Sequence, residues 1–241
     1  MTMAARAGLK TVGAAGAIAL AVGLSACGSD TGGTATPASS SASSSSGSPS
    51  SATSSSAAPS TSAQAAAPIM TLADYIRDNN IVETPVAPGD PGSPTIEIPP
   101  PQGWEEMGPN TPEGAYSGLV FTADPAMGAT PPTVVTKVFK LTGNVDPAKV
   151  LEAAPGEVRA LPGFQGADSG QPSKLSGFDA AVIGGTYPKD GVTRMVAQKT
   201  VVIPGQDGLY VLQINADGTE DQAYPLMDAT AAIDDQAKIT P

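Results

Sequence analysis

Apolar and polar residues along this chain sort into three regimes. Between Thr11 and Leu24 the stretch "TVGAAGAIALAVGL" is apolar or small at nearly every position. From Gly28 to Pro68 large apolar side chains vanish, and from Ile69 onward they return with the periods of a folded domain. In that last regime "TLADYIRDN" sets Leu72, Tyr75 and Ile76 at helical spacing behind Thr71, with Asp74 three residues after it, which predicts a capped short helix. The proline-rich passage from Thr84 to Trp104 excludes a helix, because each proline removes a donor and restricts the residue before it, while "TIEI" alternates as a strand does. Two β-rich segments follow, "AYSGLVFTA" and "TVVTKVFKL", on either side of "DPAMGATPP", a turn-rich stretch long enough to be a functional loop.

"VDPAKVLEAAPGEVRAL" predicts a second helix, with Asp146 as N-cap, Pro147 in the first helical position and Val150, Leu151 and Ala154 on one face; Pro155 breaks or kinks it. Three strand-like runs come next, "FDAAVIGGTY", "VTRMVAQKTVVI" and "LYVLQINA", joined by the short turns "PKDG" and "PGQDG". Such joins predict an antiparallel meander. In the last run Tyr210, Leu212 and Ile214 point one way and Leu209 and Val211 the other, so both faces of the sheet are expected to be covered. The closing segment places Leu226, Met227, Thr230, Ile233 and Ala237 near helical spacing after a Thr219–Gln222 capping box, with Pro225 moving the start toward Tyr224. Helices in three places around an antiparallel sheet define an α+β class, most simply an antiparallel β-sheet with helices packed on both faces. Residues 69–241, 173 in all, suffice for one domain with a sizeable core.

The first regime changes the picture of where this domain resides. Arg6 and Lys10 precede an apolar run of about 14 residues, within the range of a signal peptide and short of a membrane-spanning helix. The run ends in "LSAC", which resembles a bacterial lipobox: Leu24, Ser25 and Ala26 would be recognised, residues 1–26 removed, and Cys27 would become the acylated N-terminus. Cys27 is the single cysteine of the chain, so an intrachain disulfide or a thiolate metal site has no partner for it. An ordinary cleaved signal peptide with an incidental cysteine, or an uncleaved anchor, are the plainer alternatives. Residues 27–68 then form a Ser/Thr/Ala/Pro-rich tether, expected to stay disordered because nothing in it offsets its ordering entropy; as a flexible coil it spans on the order of 35 Å. Its composition also suits O-glycosylation.

The chain's formal charge is −11, and loss of Arg6 and Lys10 without any acid makes it −13 in the mature form. A basic nucleic-acid footprint is absent, as is a polybasic patch for anionic lipid. The chain has no histidine, so a Ser-His-Asp triad, a Cys-His pair and imidazole metal sites are excluded. Glu105 with Glu106, and Asp234 with Asp235, are adjacent carboxylates that do not converge on one glycosidic bond. Ser173 beside Lys174 is read as part of a loop without an oxyanion hole, and "GFQGADSG" lacks the strand–helix context of a phosphate loop. The acidic "DGTED" and "DDQ" lack EF-hand spacing. No catalytic residue, metal or cofactor is therefore assigned. Trp104, the only tryptophan, follows three prolines; it is read either as a core aromatic docking its loop or as a platform for a sugar ring or acyl chain, with Tyr116, Met127 and Tyr187 as further candidate ligand contacts.

The ordered series "LADYI", "PPPQGW", "DPAKVLEAAPGEVRALPGF", "LSGFDAAVIGGTY", "VAQKTVVIP" and "DGLYVLQINADGTEDQA" resembles the mycobacterial LpqN/LpqT lipoprotein family over nearly all of residues 69–241. The resemblance implies a PsbP-like fold and anchoring by lipid on the extracytoplasmic face of the cell membrane. It also implies a role in the cell envelope, linked to trehalose-mycolate glycolipids beside lipid exporters. Two expectations follow. One is a non-catalytic module that binds an amphipathic glycolipid and exchanges it with an envelope transporter; the other is a scaffold that binds a membrane-protein complex without a small ligand.

Overall fold

The computed structural model describes residues 69–241. The expected signal peptide (1–26), the lipobox-like Leu24, Ser25 and Ala26, Cys27 and the expected tether (27–68) lie outside the described residues. The first predicted helix is α1 (Leu72–Asp78), and its capping box is complete: the Thr71 hydroxyl accepts from the Asp74 amide at 3.1 Å while the Asp74 carboxylate accepts from the Thr71 amide at 3.1 Å. Four strands follow, β1 (Val82–Pro85), β2 (Thr95–Glu97), β3 (Trp104–Glu106) and β4 (Ser117–Phe121). The ten-residue β5 (Thr133–Thr142) leads into α2 (Pro147–Ala153) and α3 (Pro155–Arg159), which meet at Ala154. Pro155 thus breaks the helix where its missing N–H and its ring would disrupt the ladder.

After α3 come β6 (Gln165–Gly166), β7 (Gln171–Leu175), β8 (Phe178–Lys189), β9 (Val192–Pro204) and β10 (Leu209–Thr219). The chain closes with α4 (Ala223–Gln236) and β11 (Lys238–Thr240). Among the described residues nine strands form one antiparallel sheet in the order β3-β4-β5-β10-β9-β8-β6, with β1 paired to β5 and β7 to β8, while β2 and β11 form a separate pair. The expected meander is present as β8, β9 and β10. Lys189 faces Val192 across a two-residue turn in which Asp190 and Gly191 have φ of 53° and 79°, the left-handed pair that matches strand twist.

Some elements depart from the sequence reading. Ser173 and Lys174 lie in β7, not in a loop, and Lys174 pairs with Asp179 at 2.6 Å. Ala237 ends α4 as its C-cap instead of continuing the helix, and the next three residues pair with "TIE" as β11.

The buried apolar residues form two clusters, and alternation along the central strands assigns each side chain to one of them. Val201, Ile203, Leu212 and Ile214 join Leu226, Ala229 and Ile233 of α4. Val202, Leu209, Val211 and Phe139 join Leu72 of α1 and Val150 and Ala153 of α2. The alternation expected for Tyr210, Leu212 and Ile214 against Leu209 and Val211 holds. One close approach fixes how the helices enter: a Cβ on Gly156 of α3 would sit 2.0 Å from the Met70 carbonyl oxygen, so only glycine allows that backbone contact.

Candidate functional site

The side-chain volumes along β8, β9 and β10 create a gap beneath α4. Gly184 pairs with Ala197, and Ala197 with Ala216, so three strands in succession present a hydrogen atom or a methyl group at one level. One level further along, the pair Ile214 and Lys199 lines the larger hollow, and beyond it Leu212 paired with Val201 belongs to the apolar cluster that meets α4. The small-residue level is left as two adjoining hollows of about 130 and about 60 Å³ that share Ala197, Ala216 and Thr230. Met195, Leu226 and Met227 wall the smaller hollow, and Val182 and Ile233 the larger. At the far end Lys199 Nζ donates to Asp234 Oδ1 at 2.5 Å. The groove is therefore apolar along its length and charged at one end, the pattern of an amphipathic ligand's complement.

A second cavity, about 750 Å³, lies at the opposite end of β9 and β10 and is lined by Ser93, Pro94, Asp207, Tyr210 and Pro241. Lys140 Nζ donates to Asp207 Oδ1 at 2.6 Å, which holds the Asp207 carboxyl below its ordinary range, and lies 5.7 Å from the centroid of the Tyr210 ring. Tyr210 in turn donates to the Gly92 carbonyl at 2.8 Å, tying the loop before β2 to the sheet.

The residues singled out from the sequence are not brought together. Trp104 is 5 % exposed and packs edge-to-face on Phe121 with ring centroids 5.6 Å apart. This is the core-aromatic reading; a ring so enclosed presents no face on which a sugar can stack. Tyr116 is half-buried against the same cluster, and its amide donates to the Thr136 carbonyl. Met127 ends a short 3-10 turn in the loop before β5, a loop fastened to the start of α4 by a Gln222–Thr130 hydrogen bond of 2.7 Å. Tyr187 donates to Asp217 Oδ2 at 2.8 Å, and Asp217 Oδ1 accepts from Arg194 Nε at 2.8 Å and from its Nη2. Burial pushes the Tyr187 phenol above its usual range and the bond to Asp217 adds to the shift; the same carboxylate raises the Arg194 guanidinium further. None of these four residues lines the groove. The groove's signal in the sequence is its small residues, and pairing register, which no single segment contains, decides whether they fall side by side.

The Tyr187–Asp217–Arg194 triad ties β8, β9 and β10 together at the end nearest the Asp190–Gly191 turn. Asp217→Ala would leave a largely buried guanidinium without its acceptor, and a loss of about 1–3 kcal/mol in urea unfolding is expected. Adding Arg194→Met should recover part of that loss. A double variant no more stable than the single one would show that the triad acts through something other than the orphaned charge.

An α+β domain built on one large antiparallel sheet with few helices is the class these features define. The family profile described as "Probable lipoprotein LpqN" matches residues 68–240. Lipoprotein LpqN of Mycobacterium tuberculosis (strain ATCC 25618 / H37Rv) is 54 % identical over 178 residues, 74 % of this chain and 77 % of that protein. Putative lipoprotein LpqT of Mycobacterium leprae (strain TN) is 30 % identical over 135 residues, 55 % of this chain and 57 % of that protein. A crystal structure of LpqN, described as involved in cell envelope biogenesis of Mycobacterium tuberculosis, superposes with a TM-score of 0.68 at 53 % identity, covering 73 % of this chain and all of the crystallised one. The chain belongs to the LpqN lipoprotein family. That crystallised relative consists of the matching portion alone, so a domain of this kind folds without the N-terminal stretch.

Proposed function

We propose that this protein is a non-catalytic lipoprotein of the cell envelope that holds an amphipathic glycolipid by one acyl segment in the groove beneath α4 and assists its movement between envelope components. The observation that supports this most is the groove itself: two adjoining, mostly apolar hollows that meet at the small side chains of Ala197 and Ala216 beneath α4. Family membership supports placement in the envelope, as does the involvement of the crystallised LpqN in cell envelope biogenesis. Acylation at Cys27 would fasten the chain to the outer face of the cytoplasmic membrane, and the segment 27–68 would let the domain range over it. Among the described residues no helix is long and apolar enough to cross a membrane. We also assign the domain a PsbP-like arrangement, a sheet between helical layers. The support is that α4 belongs to one apolar cluster of the sheet and α1 and α2 to the other.

The test is a thermal shift on the domain. A trehalose glycolipid at about 100 times its dissociation constant stabilises a folded protein by about 2.7 kcal/mol, a rise of roughly 5–10 °C for a domain of this size. Ala197→Leu fills the junction of the two hollows and should abolish the rise while leaving the unliganded Tm within a few degrees. An unshifted Tm in the parent protein, or an equal shift in the variant, would remove the groove from this role.

A further inference from the structure

From Thr219 to Ala237 the sequence carries five acidic side chains and no basic one. This segment is the turn Glu220–Gln222 followed by α4. Its inner face is spoken for by Leu226, Ala229 and Ile233 in the core. On the outside Tyr224 is 80 % exposed and Met227 60 %, one helical turn apart and therefore surface neighbours. Neither is needed to bury the helix. Glu220, Asp221 and Asp228 near them, and Asp235 two turns further along the helix, are exposed and make no ion pair among the described residues; Asp234 alone is paired, to Lys199. Two of the other helices balance their charges locally: Arg77 of α1 pairs with Asp74 and Asp78, and Lys149 of α2 with Glu152.

We propose that the outer face of α4 is a docking surface for a cationic protein segment, a lysine- or arginine-rich helix or loop that seats one apolar side chain between Tyr224 and Met227. Charge selects this occupant. An anionic membrane surface is repelled by four unpaired carboxylates, and a second copy brings the same acidic face and the same overall negative charge. A cationic partner is drawn to the patch from a distance, and an exposed tyrosine beside a methionine supplies the apolar anchor that fixes it there. Tyr224 lies outside the groove, so this surface does not depend on a glycolipid; Met227, at the rim, is the one residue the two share.

The experiment titrates the domain (residues 69–241) with a synthetic helical peptide bearing lysines on one face and leucines on the other, beside a control of equal charge with alanine in place of leucine. Binding of the lysine–leucine peptide is expected to exceed that of the control. It should weaken about tenfold in Tyr224→Ala and in Asp221→Asn/Asp228→Asn, as for loss of an interface anchor. It should also fall as salt rises from about 0.05 to about 0.5 M. Glu105→Gln/Glu106→Gln, acids exposed elsewhere, should leave it unchanged, and Tyr224→Ala, outside the groove, should keep the parent's thermal shift with glycolipid, which separates a failure here from a failure of the glycolipid reading. Equal binding to parent and Tyr224→Ala, or equal binding of the alanine control, overturns the proposal. So does adsorption of the domain to phosphatidylglycerol vesicles, or a sedimenting dimer that Tyr224→Ala dissolves.

Discussion

Changing Cys27 to serine should abolish incorporation of an alkyne-palmitate label into the protein, and a chain released from its signal peptide without that label should partition into the soluble fraction. The reasoning is energetic. Each buried methylene contributes about 0.8 kcal/mol, one acyl chain binds only reversibly, and two or more hold durably. A hydroxyl in place of the thiol cannot form the thioether to diacylglycerol, so the durable anchor is lost at its first step. Little else in the chain would substitute for it. The chain has a formal charge of −11, which removal of residues 1–26 would make −13, and no polybasic stretch, so anionic lipid repels it, and the described residues contain no membrane-spanning helix. Fractionation with mass analysis of the N-terminus is the measurement. A Cys27→Ser chain that still carries label, or a parent chain whose mature N-terminus is unmodified, would remove lipidation from the account.

Periodicity and punctuation made most of the sheet and all three helical places legible. Asp146 with Pro147, Pro155, and the "DG" before Val192 each act within a few residues, so their consequences could be read locally. The elements that escaped are those stabilised by distant partners. The β11 strand is three residues long and is a strand because Ile239 pairs with Ile96; read alone, "KIT" simply continues the preceding helix. The β7 strand contains Pro172 and two polar residues beside it, a poor strand by composition, but it lies on an edge, where a missing amide donor is tolerated. The β1 strand, "VETP", pairs with β5 although all four of its residues are exposed. The site followed the same logic. Trp104 is rare and large, and these properties suit a side chain that fills a core as well as one that stacks on a ligand. The groove comes from side chains too small to notice, brought level by a register that no short window of sequence contains.

Leu212→Ala should be the most damaging single change to the folded domain, with an expected loss of about 3–5 kcal/mol in urea unfolding and a Tm lower by roughly 10 °C or more. Leu212 is 0 % exposed on β10, a central strand, where it pairs with Val138 of β5 and Val201 of β9. Both neighbours are buried in the same cluster. Their branched side chains are stiff about the first torsion and cannot swing in to fill the space that a leucine leaves. The variant therefore loses the transfer free energy of the missing carbons and keeps a cavity besides. The cost is large beside a total stability that for most domains is about 5–15 kcal/mol. Met227→Ala, on the exposed side of α4, should move stability by about 0.5 kcal/mol or less, which makes it the matched control. A Leu212→Ala loss below about 1 kcal/mol would mean that α4 can settle onto the sheet at that level. The same freedom would let it close over Ala197 and Ala216, and the open groove, on which the glycolipid reading rests, would not survive in solution.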